Sequence, residues 1–107
     1  MEWISLQRRR LEDAQVFREE TFTKQDLFKQ GNTSVFVLNF MPGQSLPAHR
    51  HPGQGVYILV LQGKGNVTYD GEELLLAEGD VFYGDGDQKL SVTNGGDEPL
   101  SLYVVLS

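Results

Sequence analysis

The chain contains no cysteine. That excludes a disulfide framework, a thiolate metal centre and thiol catalysis, and it suits a reducing cytoplasm. Long apolar runs are also missing: the longest, Val56 to Leu61, is six residues, against roughly 20 for a membrane helix. No apolar core of a secretion signal fits near the N-terminus, because Arg8, Arg9, Arg10, Glu12 and Asp13 stand where it would lie. The expectation is a soluble chain that is not exported and has no membrane partner. Positive charge is scarce, with 9 Lys and Arg against 15 Asp and Glu and a formal charge of -6. Such a balance repels a phosphate backbone and makes nucleic acid a poor partner. The one basic cluster, Arg8 to Arg10, is followed by Glu12, Asp13, Glu19 and Glu20, so its field is locally cancelled and it reads as a solvated face.

What is present is material for one core: 39% hydrophobic and 10% aromatic residues in 107, with no length left for a second. Turn residues recur at Gly31-Asn32, Pro42-Gly43, Pro52-Gly53, Gly63 to Gly65, Asp70-Gly71, Gly79-Asp80, Gly84 to Asp87 and Asn94 to Asp97. That rhythm, mostly about eight to twelve residues, is the rhythm of a sandwich or barrel of short strands. Between the turns, Val35 to Phe40, Val56 to Leu61, Val67 to Tyr69, Leu74 to Leu76, Val81 to Tyr83, Leu90 to Thr93 and Leu100 to Leu106 are rich in β-branched and aromatic residues and read as strands. Asp70-Gly71 tolerates positive φ at both positions and predicts a tight hairpin. Val56 to Leu61, apolar throughout, predicts a strand covered on both faces, and the mixed pattern of Leu100 to Val105 predicts one partly exposed. Residues 1–20 keep no single period. They are expected to form an arm that buries Trp3, Ile4, Val16 and Phe17 on the barrel or on a dimer partner, ahead of a barrel domain over residues 21–107.

Only two histidines occur, His49 and His51. Pro47 and Pro52 bias the segment to extended conformations, in which side chains two apart leave the same face, so one metal ion can span both rings. An imidazole pair suits iron, nickel, manganese, copper or zinc. Such ligands must be neutral, so any metal affinity falls below about pH 6.5.

Gly43, His49-Arg50-His51 and the strand ending Leu59-Val60-Leu61-Gln62-Gly63 resemble the first motif of the cupin family, G-x5-H-x-H-x3,4-E-x6-G. Gly71 to Val81 resembles the start of its second motif, and Val92 to Leu100 its close. The resemblance runs over roughly residues 31 to 106 and implies an all-β double-stranded β-helix, or jelly-roll barrel. It also implies a metal set completed by a motif-one Glu and a motif-two His, but Val56 and Leu90 stand at those positions and cannot bind a cation. Gln54 is the nearest candidate for a third ligand, and Tyr83, Asp85 and Asp87 could reach in if the Gly84 to Asp87 loop folds over the mouth.

The expected function is that of a small cupin barrel holding a small molecule in an interior lined by Val56, Ile58, Val60, Phe82, Tyr83 and Leu90. A reduced site of His49, His51 and Gln54 could hold one divalent transition metal weakly. The alternative is a metal-dependent cupin enzyme of dioxygenase, isomerase or lyase type acting on a small oxygen-bearing substrate, with unassigned catalytic residues. The resemblance further implies a homodimer. Gly63-Lys64-Gly65 reads as a hairpin turn between strands, since it opens no helix that could bind phosphate.

Overall fold

A computed structural model of the protein describes residues 6–107. The expectations for Trp3 and Ile4 lie outside the described residues. A single helical turn, α1 (Leu11–Ala14), precedes nine strands: β1 (Thr23–Gln30), β2 (Thr33–Phe40), β3 (Ser45–His49), β4 (Gly55–Gln62), β5 (Lys64–Tyr69), β6 (Glu72–Ala77), β7 (Val81–Asp85), β8 (Leu90–Thr93) and β9 (Leu100–Leu106). They form a five-stranded sheet in the order β1-β2-β9-β4-β7 and a four-stranded sheet in the order β3-β8-β5-β6. All paired strands are antiparallel. No helix among the described residues is long and apolar enough to cross a membrane.

The two sheets face each other and bury one main cluster, with Phe40, Val60, Val67, Val92, Leu100 and Leu102 almost fully removed from water. Each such side chain contributes about 1.5–3 kcal/mol relative to exposure. Asp70-Gly71 closes the β5–β6 hairpin with φ of 51° and 84°, the primed geometry that matches strand twist. Gly63 to Gly65 differs from its expected role. It carries the chain from β4 in one sheet to β5 in the other and closes no hairpin, and Gly63 packs so close to the Pro99 carbonyl that a side chain there would overlap it.

β1 carries no strand signal in the sequence. Thr-Lys-Gln-Asp-Leu-Phe-Lys-Gln is a polar run, and an edge strand needs only one neighbour and tolerates solvent on much of its length. A bulge at Leu27 shifts the register between Asp26 and Phe28, so Leu27 and Phe28 both turn to the outer face of the sheet. There Ala14, Leu27 and Val37 form a second, smaller cluster, which Phe28, Val35, Leu61 and Tyr103 complete. The expected burial of β4 and β9 is reversed. Tyr57 on β4 is exposed, whereas β9 sits centrally between β2 and β4 and buries five of its seven residues. Both strands have two neighbours, so what packs on each face, not hydrophobic content, sets how much of a strand is covered.

Candidate functional site

β3 holds its residues by pairing with β8, and the register skips between Leu46 and His49: Leu46 lies opposite Val92, but His49 lies opposite Leu90. Three residues on β3 therefore match two on β8. In a regular strand, residues three apart face opposite sides. The extra residue at Pro47-Ala48 cancels that inversion and turns Leu46 and His49 to the same inner face. Proline fits here because a bulge leaves no ladder bond for its missing N–H.

Beyond β3 the chain is clamped from behind. The His51 N–H donates to the Gly86 carbonyl at 2.7 Å, and the Gly86 N–H donates to the Gln54 carbonyl at 2.8 Å. Arg50, the residue between the histidines, points away and donates through Nε to the Asp87 carbonyl at 3.0 Å. The Gly53 N–H donates to an Asp87 carboxylate oxygen at 3.3 Å.

Held this way, both imidazoles line a cavity of about 170 Å³ between the two sheets, with Phe22, Lys24, Phe36, Leu38, Leu46, Val56, Ile58, Leu90, Val92, Val104 and Leu106 making up the rest of the wall. The rings meet edge to face, centroids 4.5 Å apart at 75°. His49 Nδ1 lies 2.9 Å from the Pro47 carbonyl oxygen. A carbonyl only accepts, so Nδ1 carries the proton and the neutral ring keeps its Nε2 lone pair. Burial holds the His51 pKa below its ordinary value of 6.5, reinforced by the neighbouring His49 and by Lys24.

The His51 shift has a stability consequence. The unfolded imidazole binds its proton more tightly than the native one. The contribution of His51 is therefore full above about pH 6.5 and is lost as the pH falls from there to the lowered native value. Urea denaturation between about pH 5 and 8 should show a decline on acidification that His51→Gln partly flattens. Identical pH profiles for the two proteins would contradict it.

Of the residues singled out in the sequence, His49, His51, Val56, Ile58 and Leu90 lie on the cavity wall. Val60 is buried in the main cluster but off the wall. Phe82 packs inward against the same cluster and edge-on to Tyr69, centroids 5.7 Å apart. Four residues are elsewhere, contrary to expectation. Tyr83 stands on the outer face beside Tyr57, because β7 pairs Tyr83 with Tyr57 and the latter's face is the outer one. Gln54 turns its amide to the Asn32 carbonyl at 2.7 Å. Asp85 and Asp87 spend carboxylate oxygens on the N–H groups of Asp87 and Gly53, because the loop that carries them packs behind the histidines instead of folding over them.

Phe22 and Lys24 went unrecognised because they flank and begin a strand without a strand signal. Leu38, Val92 and Leu106 carried one: each is two residues from another wall residue on a strand legible in the sequence, and alternation puts such pairs on one face.

The donor set does not fit a tightly held metal ion. Protein metal sites use three or four strong donors, and among the described residues no group of three or more His, Cys, Asp and Glu side chains comes together. Val56 and Leu90 present methyl groups, and Lys24 places a positive charge on the same wall.

An oxalate-binding protein of Thermotoga maritima is 29% identical over 65 residues, which are 61% of this chain and 54% of the relative, so the match spans about half the length of that protein. TT1209 from Thermus thermophilus superposes with a TM-score of 0.89 at 24% identity, covering 95% of this chain and 97% of that one. A Klebsiella pneumoniae protein with a double-stranded β-helix domain gives 0.88 at 19% identity, over 96% and 90% of the two chains. At these identities the structural likenesses establish the fold alone. The family model described as a cupin domain matches residues 36–106, which include β3, the histidine segment and β4 to β9, and the protein belongs to the cupin family.

Proposed function

We propose that this cupin binds a small organic molecule in the cavity between its sheets, with the imidazoles of His49 and His51 as part of the polar end of the site. The observation that carries the reading is the inward pair of rings on the wall of a cavity of about 170 Å³. A cavity of about 150 Å³ accommodates a benzene-sized molecule. The name of the Thermotoga maritima relative, an oxalate-binding protein, supports a small ligand as well.

A metal ion is not required by this reading. Two imidazoles offer at most a weak foothold for a divalent cation, and the metal-dependent enzyme would need donors that Val56 and Leu90 do not provide. Removing metal therefore separates the two. Protein stripped with EDTA should still bind oxalate or a one-ring probe such as benzyl alcohol. At ten times its Kd the bound probe would stabilise the fold by about 1.4 kcal/mol and raise Tm by several degrees. The amide signals of Val56, Ile58 and Leu90 should shift saturably in the same titration. Absence of both responses for every probe would remove the proposal. A whole-number content of divalent metal after dialysis, lost in the double variant His49→Ala, His51→Ala, would make the enzyme reading the better one.

A further inference from the structure

We infer that the ligand is a small monocarboxylate, with an apolar body about the size of one aromatic ring and its carboxylate held against Lys24. The inference rests on the proposal that the cavity takes a small molecule, and adds the charge and shape of that molecule.

Lys24 comes from the edge strand β1 and pairs with Leu38, so its side chain lies on the inner face of the sheet and crosses Phe36, with Nζ 4.6 Å from the ring centroid. Among the described residues it is the one fixed cation on the cavity wall, and no Asp or Glu shares that wall. In a chain with 15 acidic and 9 basic residues that is a local inversion of charge. The ion pair it makes is weak: Asp26 stands 3.7 Å away with its side chain 78% exposed, too far for a good hydrogen bond and screened by water. A carboxylate at the edge of an apolar cavity, shielded from solvent on one side, would compete well for the same ammonium group. The His51 ring lies on the same wall and can turn an N–H toward that carboxylate.

Shape argues for the rest of the molecule. Ten of the thirteen wall residues are apolar, so a dianion without hydrocarbon would lose its hydration and gain little in return, whereas a ring or short branched chain fills the space with favourable contacts.

Calorimetric titration of the EDTA-treated protein with benzoate, benzyl alcohol and oxalate tests this, because the first two share a ring and differ in charge, and the third has charge without a ring. Benzoate is expected to bind about tenfold or more tightly than either of the others. Lys24→Gln should bring benzoate down to the level of benzyl alcohol while leaving benzyl alcohol within about twofold, and Lys24→Arg should restore the preference. The side chain is 53% exposed, so both variants are expected to fold, and an unchanged Tm verifies it. Equal affinity for benzoate and benzyl alcohol would overturn the inference while leaving the cavity occupied as proposed. So would oxalate binding more tightly than benzoate, or a preference that survives Lys24→Gln. Failure of all three probes would instead remove the cavity proposal and this inference with it.

Discussion

Gly86→Ala is expected to destabilise the protein by about 3 kcal/mol or more and to displace both histidines from the cavity wall. Gly86 exchanges hydrogen bonds with His51 and Gln54, and a Cβ there would overlap the carbonyl oxygens of both. These are backbone atoms, held by the Gln54 and Gly86 N–H groups in turn, so no side-chain rotation relieves the overlap and the histidine segment itself must move. Overpacking costs about 1–3 kcal/mol where neighbours can adjust, and more where they cannot. The control is Gly31→Ala. Gly31 has φ of 56° and open space around the missing Cβ, so only backbone strain is added, about 1 kcal/mol. Urea denaturation of the two variants, with imidazole proton spectra to follow the histidines, separates the effects. Equal losses in both, or unchanged imidazole signals in Gly86→Ala, would show that the loop does not hold the site.

Asn39→Ala is expected to cost about 3 kcal/mol and to release the segment before β1. Asn39 is fully buried on β2. Its Nδ2 donates to the Ala14 carbonyl at 2.8 Å and to Thr23 Oγ1 at 3.1 Å, while its Oδ1 accepts from Ser101 Oγ at 2.7 Å. Truncation strands these partners without water and leaves a cavity, two costs of about 1–3 kcal/mol each that partial relaxation reduces. The Ala14 contact is the buried polar attachment of the arm, next to the apolar one at Leu27 and Val37, while Gln15, Val16, Arg18 and Glu19 make part-buried or exposed ones. Trypsin cleavage at Arg8 to Arg10 and Arg18 should therefore accelerate in Asn39→Ala under native conditions, several-fold more than global unfolding accounts for. A loss of stability below about 1 kcal/mol with unchanged cleavage would mean that the network is incidental.

The strands legible in the sequence were those with dense apolar content between Gly-rich turns, β-branched and aromatic in β2, β4, β5 and β7 to β9 and a run of three leucines in β6. β1 has none, because an edge strand that contributes Lys24 to the inner face and Leu27 to the outer one looks polar when read along the chain. The same limit hid one half of the site. His49 and His51 could be found because a repeated spacing on an extended segment implies a shared face, and Val56 and Leu90 because the motif spacing points to them. Lys24 meets them only because β1 folds back along β2, and no local pattern encodes that approach.

Motif resemblance implied the cupin barrel; composition and spacing alone determined that the chain is all-β, that thiol chemistry is absent, and that two imidazoles lie side by side. These follow from short-range rules, strand alternation and turn stereochemistry, which a neighbourhood of a few residues suffices to state. The tertiary structure decided which way each side chain faces. One inserted residue in β3 turns His49 inward, the pairing of β7 with β4 turns Tyr83 outward, and the Gly86 contact fixes the histidine loop. Each depends on the register between strands distant in sequence, where a shift of one residue exchanges the inner and outer faces.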